Sequence, residues 1–318
     1  MNSHIAWLAG TVSDITPLAR DIKRFTLRLE AGSYPEFASG SHLLLRVGSA
    51  ADSPVNAYSL LDAGGGSAEI HIAVKREADS RGGSAWLHEL APGSAIHFST
   101  PANLFALQPA ARRHVFIAGG IGITPFISHL AAQRAAGGDC QLHYAYRQPD
   151  EAAFVDGLAG LPQVTLYDGS RGQRLDVAAV LATLGPDDHV YACGPQRLLD
   201  AVQAAGQALQ AAGRLHIEQF APPAAPAGGG AFSVRLVRSG CDIQVAADES
   251  ILDAIQRQSQ VRVESLCREG YCGTCETRLL SGSAEHHDQY LSDGEKQAQD
   301  RIMLCVSRAA CTRLELDL

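Results

Sequence analysis

Three cysteines fall within the nine residues "CREGYCGTC" (267–275) and the next is Cys305, so the chain carries the spacing C-x4-C-x2-C-x29-C. This feature restricts the fold most, because four thiols so spaced either converge on one inorganic centre or are unrelated. The spacing is that of plant-type [2Fe–2S] sites, in which four thiolates hold two irons. Gly270 and Gly273 fit that reading, since bare backbone lets N–H groups approach sulfur. Zinc sites favour paired C-x2-C hooks, and only one such pair is present. A "CGTC" dithiol needs a strand before it and a helix starting on it, and leaves Cys267 and Cys305 without a role. A Rieske centre needs histidine ligands, and no histidine lies within two residues of Cys267, Cys272 or Cys275. Cys140, Cys241 and Cys311 match no ligand spacing and read as small buried or surface residues.

A chain of 318 residues exceeds what one hydrophobic core serves, so two or three domains are expected. Hydrophobic residues make up 46% and charged residues 19%, which argues for a folded, soluble protein. The net charge of −8, without a basic block, gives no electrostatic footprint for nucleic acid or an anionic membrane. The start, "MNSHIAWLAG", lacks the basic and apolar regions of a secretory signal, so the eight cysteines are expected to be reduced thiols or metal ligands in a cytoplasmic protein. Residues 115–132, "VFIAGGIGITPFISHLAA", are uncharged, yet the GG and TP within them predict a strand, a glycine loop and a helix starting near Pro125 rather than a membrane span.

The first hundred residues read as antiparallel β structure, with alternating stretches "RFTLRL", "HLLLRV" and "EIHIAV" between Gly, Pro and Ser clusters and a helix at "SAWLHEL". From residue 114 the strands "HVFIA", "LHYAY", "VTLY" and "HVYAC" alternate with Ala-rich helical stretches, the rhythm of a doubly wound parallel sheet. The last of these stretches, "LLDAVQAAGQALQAAG", reads as one helix stopped at Gly213. "APPAAPAGGG" (221–230) follows as an exposed linker. A hairpin ("FSVRLV", "CDIQV") and a helix near "SILDAIQRQ" then precede the cysteine loop. His286 and His287, in the long loop before Cys305, read as solvated.

Two further motifs carry chemistry. "AGGIGITP" (118–125) sits at a strand-to-helix turn, where glycines admit a phosphate and a helix N-terminus favours its charge. "YACGPQRLLD" is a second such turn, and two loops at the carboxyl ends of parallel strands can share one dinucleotide. The first turn is not the G-x-G-x-x-G fingerprint, and the second strand ends in Tyr146 and Arg147 rather than in an acid for the ribose. In the β-rich part, "NAYSL" (56–60) offers an aromatic face beside a hydroxyl, and "SRGGS" (80–84) is a candidate phosphate cup.

The order of these motifs resembles the phthalate dioxygenase reductase family over almost the whole chain. The resemblance implies an antiparallel β-barrel flavin domain (1–108), a doubly wound α/β NAD-binding domain (109–222), a linker (223–230) and an α+β, β-grasp ferredoxin domain (231–318) holding a [2Fe–2S] cluster on Cys267, Cys272, Cys275 and Cys305. It also implies FMN, with Tyr58 packed on its ring, Ser59 bonding near N5, and Arg81, Gly82, Gly83 and Ser84 at its phosphate. Asn56, Ala57, Ala73, Val74 and Lys75 line the same site, Asn56 standing where the family's motif usually begins with arginine. Gly119, Gly120, Ile121, Gly122, Thr124 and Pro125 should receive the dinucleotide, with Tyr146, Arg147, Asp168, Gly194 and Pro195 around it. Cys193 should border the hydride path and Phe220, closing "HIEQF", should cover the flavin. By resemblance the electrons come from NADH and leave to a separate Rieske-type terminal oxygenase, and the chain works as a monomer. Arg147, Arg171 and Arg174 leave NADPH open on the residues alone.

Overall fold

A computed structural model describes residues 5–50, 53–78, 82–220 and 230–318. Its contacts divide the chain after Phe220 into two compact units. The expected linker falls at this division, and residues 221–229 lie outside the described residues.

The first unit opens with β1 (Trp7–Ala19), β2 (Ile22–Leu29), β3 (His42–Arg46), β4 (Val55–Ser59), β5 (Glu69–Lys75), α1 (Gly83–Glu89) and β6 (Ala95–Ser99). The strands form one antiparallel sheet in the order β4-β3-β6-β1-β2-β5. A bridge between Leu60 and Ile72 joins the two edges, so the sheet closes into a barrel. The long β1 serves two neighbours because its register shifts between Val12 and Asp14, a bulge that bends the strand. Phe25, Leu27, Leu43, Leu45, Ile72 and Phe98 fill the interior.

The parallel sheet follows: β7 (Arg113–Gly119), α2 (Thr124–Ala136), β8 (Cys140–Tyr146), α3 (Val155–Leu158), β9 (Val164–Asp168), α4 (Val177–Leu181), β10 (Asp188–Cys193), α5 (Gln196–Ala205), α6 (Gln207–Ala211) and β11 (Leu215–Glu218). Its order is β11-β10-β7-β8-β9, every pair parallel. β7, at the centre, is almost wholly buried, as a strand covered on both faces must be. The single helix expected over 198–213 is two helices broken at Gly206, where a Cβ would stand 2.7 Å from the Val202 carbonyl. Residues 115–132 form a strand, a 3-10 turn and α2, and among the described residues no helix is long and apolar enough to cross a membrane. Barrel and parallel sheet belong to one compact unit, joined by a seam of Ile22, Leu61 and Ala73 against Ala153, Ile121 and Phe154.

The second unit comprises β12 (Phe232–Leu236), β13 (Cys241–Val245), α7 (Ile251–Gln258), β14 (Glu276–Ser281), β15 (Ala284–Glu285), α8 (Asp293–Ala298), β16 (Arg301–Met303), β17 (Arg308–Ala309) and β18 (Arg313–Leu316). Its main sheet runs β13-β12-β18-β14-β16, with β12 and β18 parallel at its centre. Ser250 caps α7 by accepting the Asp253 amide, and the helix packs Ile251, Leu252 and Ile255 into the core under that sheet. This is the expected β-grasp arrangement.

Candidate functional site

The cysteine loop connects α7 to β14 and has almost no regular structure. Its path depends on residues in the left-handed region: Arg268 (φ 56), Gly270 (φ 79) and Gly273 (φ 73). These turns bring the Glu269 and Tyr271 amides onto Cys267 Sγ, each at 3.4 Å. The glycines are also demanded by packing. A Cβ at Gly270 would lie 2.9 Å from Val306 Cγ2 and 3.0 Å from Asp288 Cα, and one at Gly273 would fall 2.3 Å from Tyr290 Cζ.

Cys267, Cys275 and Cys305 are buried and Cys272 is half-buried. The thiols pair off. A hydrogen bond from Cys267 holds the Cys272 thiol down, to about 5, and the same bond pushes Cys267 far up. Cys275 is held low by its bond from Cys305, which is pushed far up in turn. Among the described residues no three His, Cys, Asp or Glu side chains converge on one ion position. Two thiol pairs on one loop and its neighbour form the donor set of two bridged irons, so these residues fit a [2Fe–2S] cluster. Cys311 stands apart, bonded to the Ser283 amide and the Arg313 carbonyl.

The loop's wall corrects one expectation. His286 and His287 are not solvated: their side chains are only 6% and 17% exposed. His286 Nδ1 lies 3.5 Å from Oδ1 of buried Asp288. Asp288 accepts from Ser307 Oγ and the Leu291 amide, while the Gln289 amide donates to the Gly270 carbonyl. The segment from β15 to α8 is thus folded over the cysteine loop, which its polar sequence did not reveal.

In the first unit the two glycine turns meet. β7 and β10 are neighbours in register, Ala118 opposite Cys193, so their carboxyl ends present Gly119–Gly122 beside Cys193–Pro195. A Cβ at Gly122 would stand 2.4 Å from the Cys193 carbonyl, and one at Gly119 2.8 Å from Pro195 and Leu198. Gly120 takes φ 55, the Thr124 hydroxyl donates to the Ile121 carbonyl, and Pro125 lies in the first turn of α2. Tyr146 is register partner of Asp168 at the ends of β8 and β9. The buried Asp168 carboxylate accepts from the Ser170 amide and hydroxyl and lies 3.4 Å from the Arg171 guanidinium; Arg147 is exposed.

Cys193 is fully buried opposite Glu218 of β11, a residue the sequence reading passed over. Burial pushes Glu218 up to about 8, and burial with the adjacent Glu218 pushes Cys193 well above the ordinary thiol value. Both shifts favour the neutral forms near pH 7, and Glu218 Oε2 has no hydrogen-bond partner among the described residues. The signal was present in "HIEQF", an acid two residues before the exposed Phe220 ring.

On the barrel, Ser59 of β4 is buried, opposite His42, and its Oγ has no hydrogen-bond partner among the described residues, as a donor kept for a ligand would. Tyr58 is half-buried, and the desolvation of its hydroxyl pushes that group far up. Asn56 meets the start of α1: a Cβ on Gly83 would lie 2.8 Å from its Oδ1. Gly82 has φ 110, and Ser84 Oγ accepts the Glu77 amide at 3.2 Å. Ala73 and Val74 are buried, Lys75 pairs with Glu77, and the Val74 carbonyl is taken by His88. Ala57 pairs with Leu44 across β3. Arg81 lies outside the described residues. The orphaned Ser59 hydroxyl, the glycine start of α1 and the nearby Asn56 amide fit a flavin.

A family model described as an oxidoreductase FAD-binding domain matches residues 9–106, and one for the 2Fe-2S iron-sulfur cluster binding domain matches residues 234–310. Over 313 residues the chain is 46% identical to the carnitine monooxygenase reductase subunit of Escherichia coli (strain K12), covering 96% of this chain and 97% of that one. Among solved structures, phthalate dioxygenase reductase matches 98% of both chains with 36% identity and a TM-score of 0.69. An intact type IV self-sufficient cytochrome P450 monooxygenase matches 98% of this chain with 37% identity and a TM-score of 0.83, although this chain spans only 41% of that longer protein. With barrel, parallel sheet and cysteine-bearing β-grasp unit in the same order over nearly its full length, the chain belongs to the phthalate dioxygenase reductase family.

Proposed function

We propose that this chain is the NADH-dependent reductase of an oxygenase system, delivering electrons one at a time to a separate terminal oxygenase of the Rieske type. The observation that carries this reading is the thiol quartet, paired two and two, on a chain whose other unit holds two glycine turns pressed together over a buried Cys193–Glu218 pair. When bound, a flavin supplies the conversion of a hydride pair into single electrons, and a [2Fe–2S] cluster passes them on singly.

The chain's own residues do the positioning. Gly119–Gly122 and Gly194–Pro195 admit the pyrophosphate, and the N-terminus of α2 favours its charge. Thr124 is committed to the Ile121 carbonyl and so fixes the turn beside the nicotinamide. Cys193 and Glu218, both neutral, give that ring an uncharged floor. With a flavin bound, Ser59 Oγ would donate near its N5, Tyr58 would pack on the ring and the exposed Phe220 would cover it. The Asp168 carboxylate beside Tyr146 accepts a ribose hydroxyl and repels a 2′-phosphate, and it pairs with Arg171, one of the arginines that could have bound that phosphate. This supports NADH. We read the flavin as FMN, with its phosphate at Asn56, Gly82, Gly83, Ser84 and Arg81, and the protein as a cytoplasmic monomer.

The test is analysis of the purified protein. Chromatography of the extracted flavin should give FMN, with two irons and two sulfides per chain, kcat/KM should favour NADH, and a terminal oxygenase should accelerate NADH oxidation. FAD in the extract would overturn the phosphate assignment, and a preference for NADPH would overturn the role of Asp168. Oxidation indifferent to any oxygenase would favour a stand-alone flavin reductase.

A further inference from the structure

A set of polar contacts, buried at its centre, fastens the nucleotide turn to the barrel, and the reading above leaves it unused. Ser128 and His129, both without exposure, lie on α2 just beyond its Thr124–Pro125 start. The Gly40 amide donates to Ser128 Oγ at 3.1 Å, and that hydroxyl donates to the Pro125 carbonyl at 3.0 Å. Ser39 Oγ and His129 Nδ1 are 2.9 Å apart. The Ser39 carbonyl is held by Asn103 Nδ2 at 2.9 Å, and Asn103 Oδ1 accepts the Phe105 amide. Gly40 has φ 80, and a Cβ there would stand 2.5 Å from both His129 Cε1 and the Phe105 carbonyl.

Both ends of this set lead straight to the reacting groups. On the barrel side Ser39 and Gly40 run through Ser41, whose carbonyl accepts the Leu60 amide, into β3, where His42 is the register partner of Ser59. On the other side α2 begins in the glycine turn, and the His129 ring stacks on Phe116 of β7, the strand that feeds the turn (centroids 5.6 Å apart, planes 13°). Burial holds the imidazole neutral, its pKa down to about 3, so it does not change charge near neutral pH. Apolar packing alone would hold the two sheets together but is non-directional and permits sliding, whereas hydrogen bonds fix distance and angle. Hydride transfer needs that precision, since a misplacement of about 1 Å can cost on the order of a hundredfold.

We propose that Ser39, Ser128 and His129 are positioning residues for hydride transfer, their two bonds fixing the register of the Gly119–Pro125 turn against the strand that carries Ser59. This rests on the reading that places nicotinamide at the turn and flavin at β4. The test is anaerobic stopped-flow reduction of the flavin- and cluster-loaded protein by NADH. His129→Leu should lower the limiting reduction rate at least tenfold and Ser128→Ala severalfold. NADH Kd should stay within twofold and flavin content should be unchanged. His129→Asn, which restores a bonding partner for Ser39, should recover part of the rate. If His129→Leu does not fold, Ser128→Ala and Ser39→Ala carry the same test. A limiting rate within twofold of the parent in the truncated variants would overturn the proposal, as would a loss of rate matched by loss of NADH or flavin affinity. A parent protein that NADH does not reduce would overturn the functional reading, and this proposal with it; normal reduction in parent and variants alike would overturn the positioning role alone.

Discussion

Gly273→Ala should loosen the cluster site by two separable routes. Gly273 has φ 73, and a side chain in the left-handed region costs about 1–2 kcal/mol. The new Cβ would also fall 2.3, 2.5 and 2.8 Å from three atoms of the Tyr290 ring. Displacing that ring is overpacking, worth about 1–3 kcal/mol, nearer the lower figure because Tyr290 is half-buried and can swing outward. The sum is about 2–4 kcal/mol. If only about 1.4 kcal/mol of it is relieved as the cluster leaves, release quickens about tenfold. The assay is bleaching of the visible cluster absorbance in moderate urea, for the parent, Gly273→Ala, Tyr290→Ala and the double variant. Adding Gly273→Ala to Tyr290→Ala should cost only the backbone part, so the two changes are non-additive by about 1–3 kcal/mol. Release from Gly273→Ala at the parent rate would refute the reasoning entirely. Full additivity would show that the ring is not what the methyl meets.

Three further outcomes are expected. Cys305→Ala should abolish iron and sulfide binding while NADH still bleaches the flavin, because that step belongs to residues 5–220, whereas Cys311→Ser should keep a full cluster; iron analysis with anaerobic spectra checks both. Gly122→Ala meets backbone atoms of Cys193 and Gly194 at 2.4–2.6 Å that cannot swing aside, so KM for NADH should rise at least tenfold with flavin content unchanged. Glu218 is raised from 4.5 to about 8 in the folded protein, so the folded state binds the extra proton. The resulting stability is fully present below about pH 4.5 and lost as pH rises through about 8. Glu218→Gln should flatten the fall of the thermal midpoint across that window, and parallel curves would contradict the assignment.

What the sequence disclosed was local. The four-cysteine spacing, the glycine turns and the strands with clean periodicity announce themselves because their geometry is imposed by neighbours a few residues away. Gly206 was hidden for the opposite reason: its break answers to Leu215 and the Val202 carbonyl, and inside an Ala-rich stretch one glycine resembles a tolerated helical residue. His286 and His287 looked like a polar loop because the residues that enclose them, Asp288 and Ser307, depend on how distant strands pair. The Ser39–His129 bond spans 90 residues and has no local signature. Glu218 was readable in principle, but a lone acid ending a strand is ordinarily solvated, and only its burial beside Cys193 marks it.

The position of β18 also orders events in time. Its residues follow all four cysteines of the quartet in the chain, yet it occupies the middle of the sheet, hydrogen-bonded to β12 and β14. Its partner β12 is made about eighty residues earlier, and such non-local pairing is slow because loop closure precedes any reward. The sheet that carries the cysteine loop is therefore complete only once residues 313–316 have paired with β12 and β14, and a chain truncated before β18 should lose the cluster even though it keeps all four cysteines.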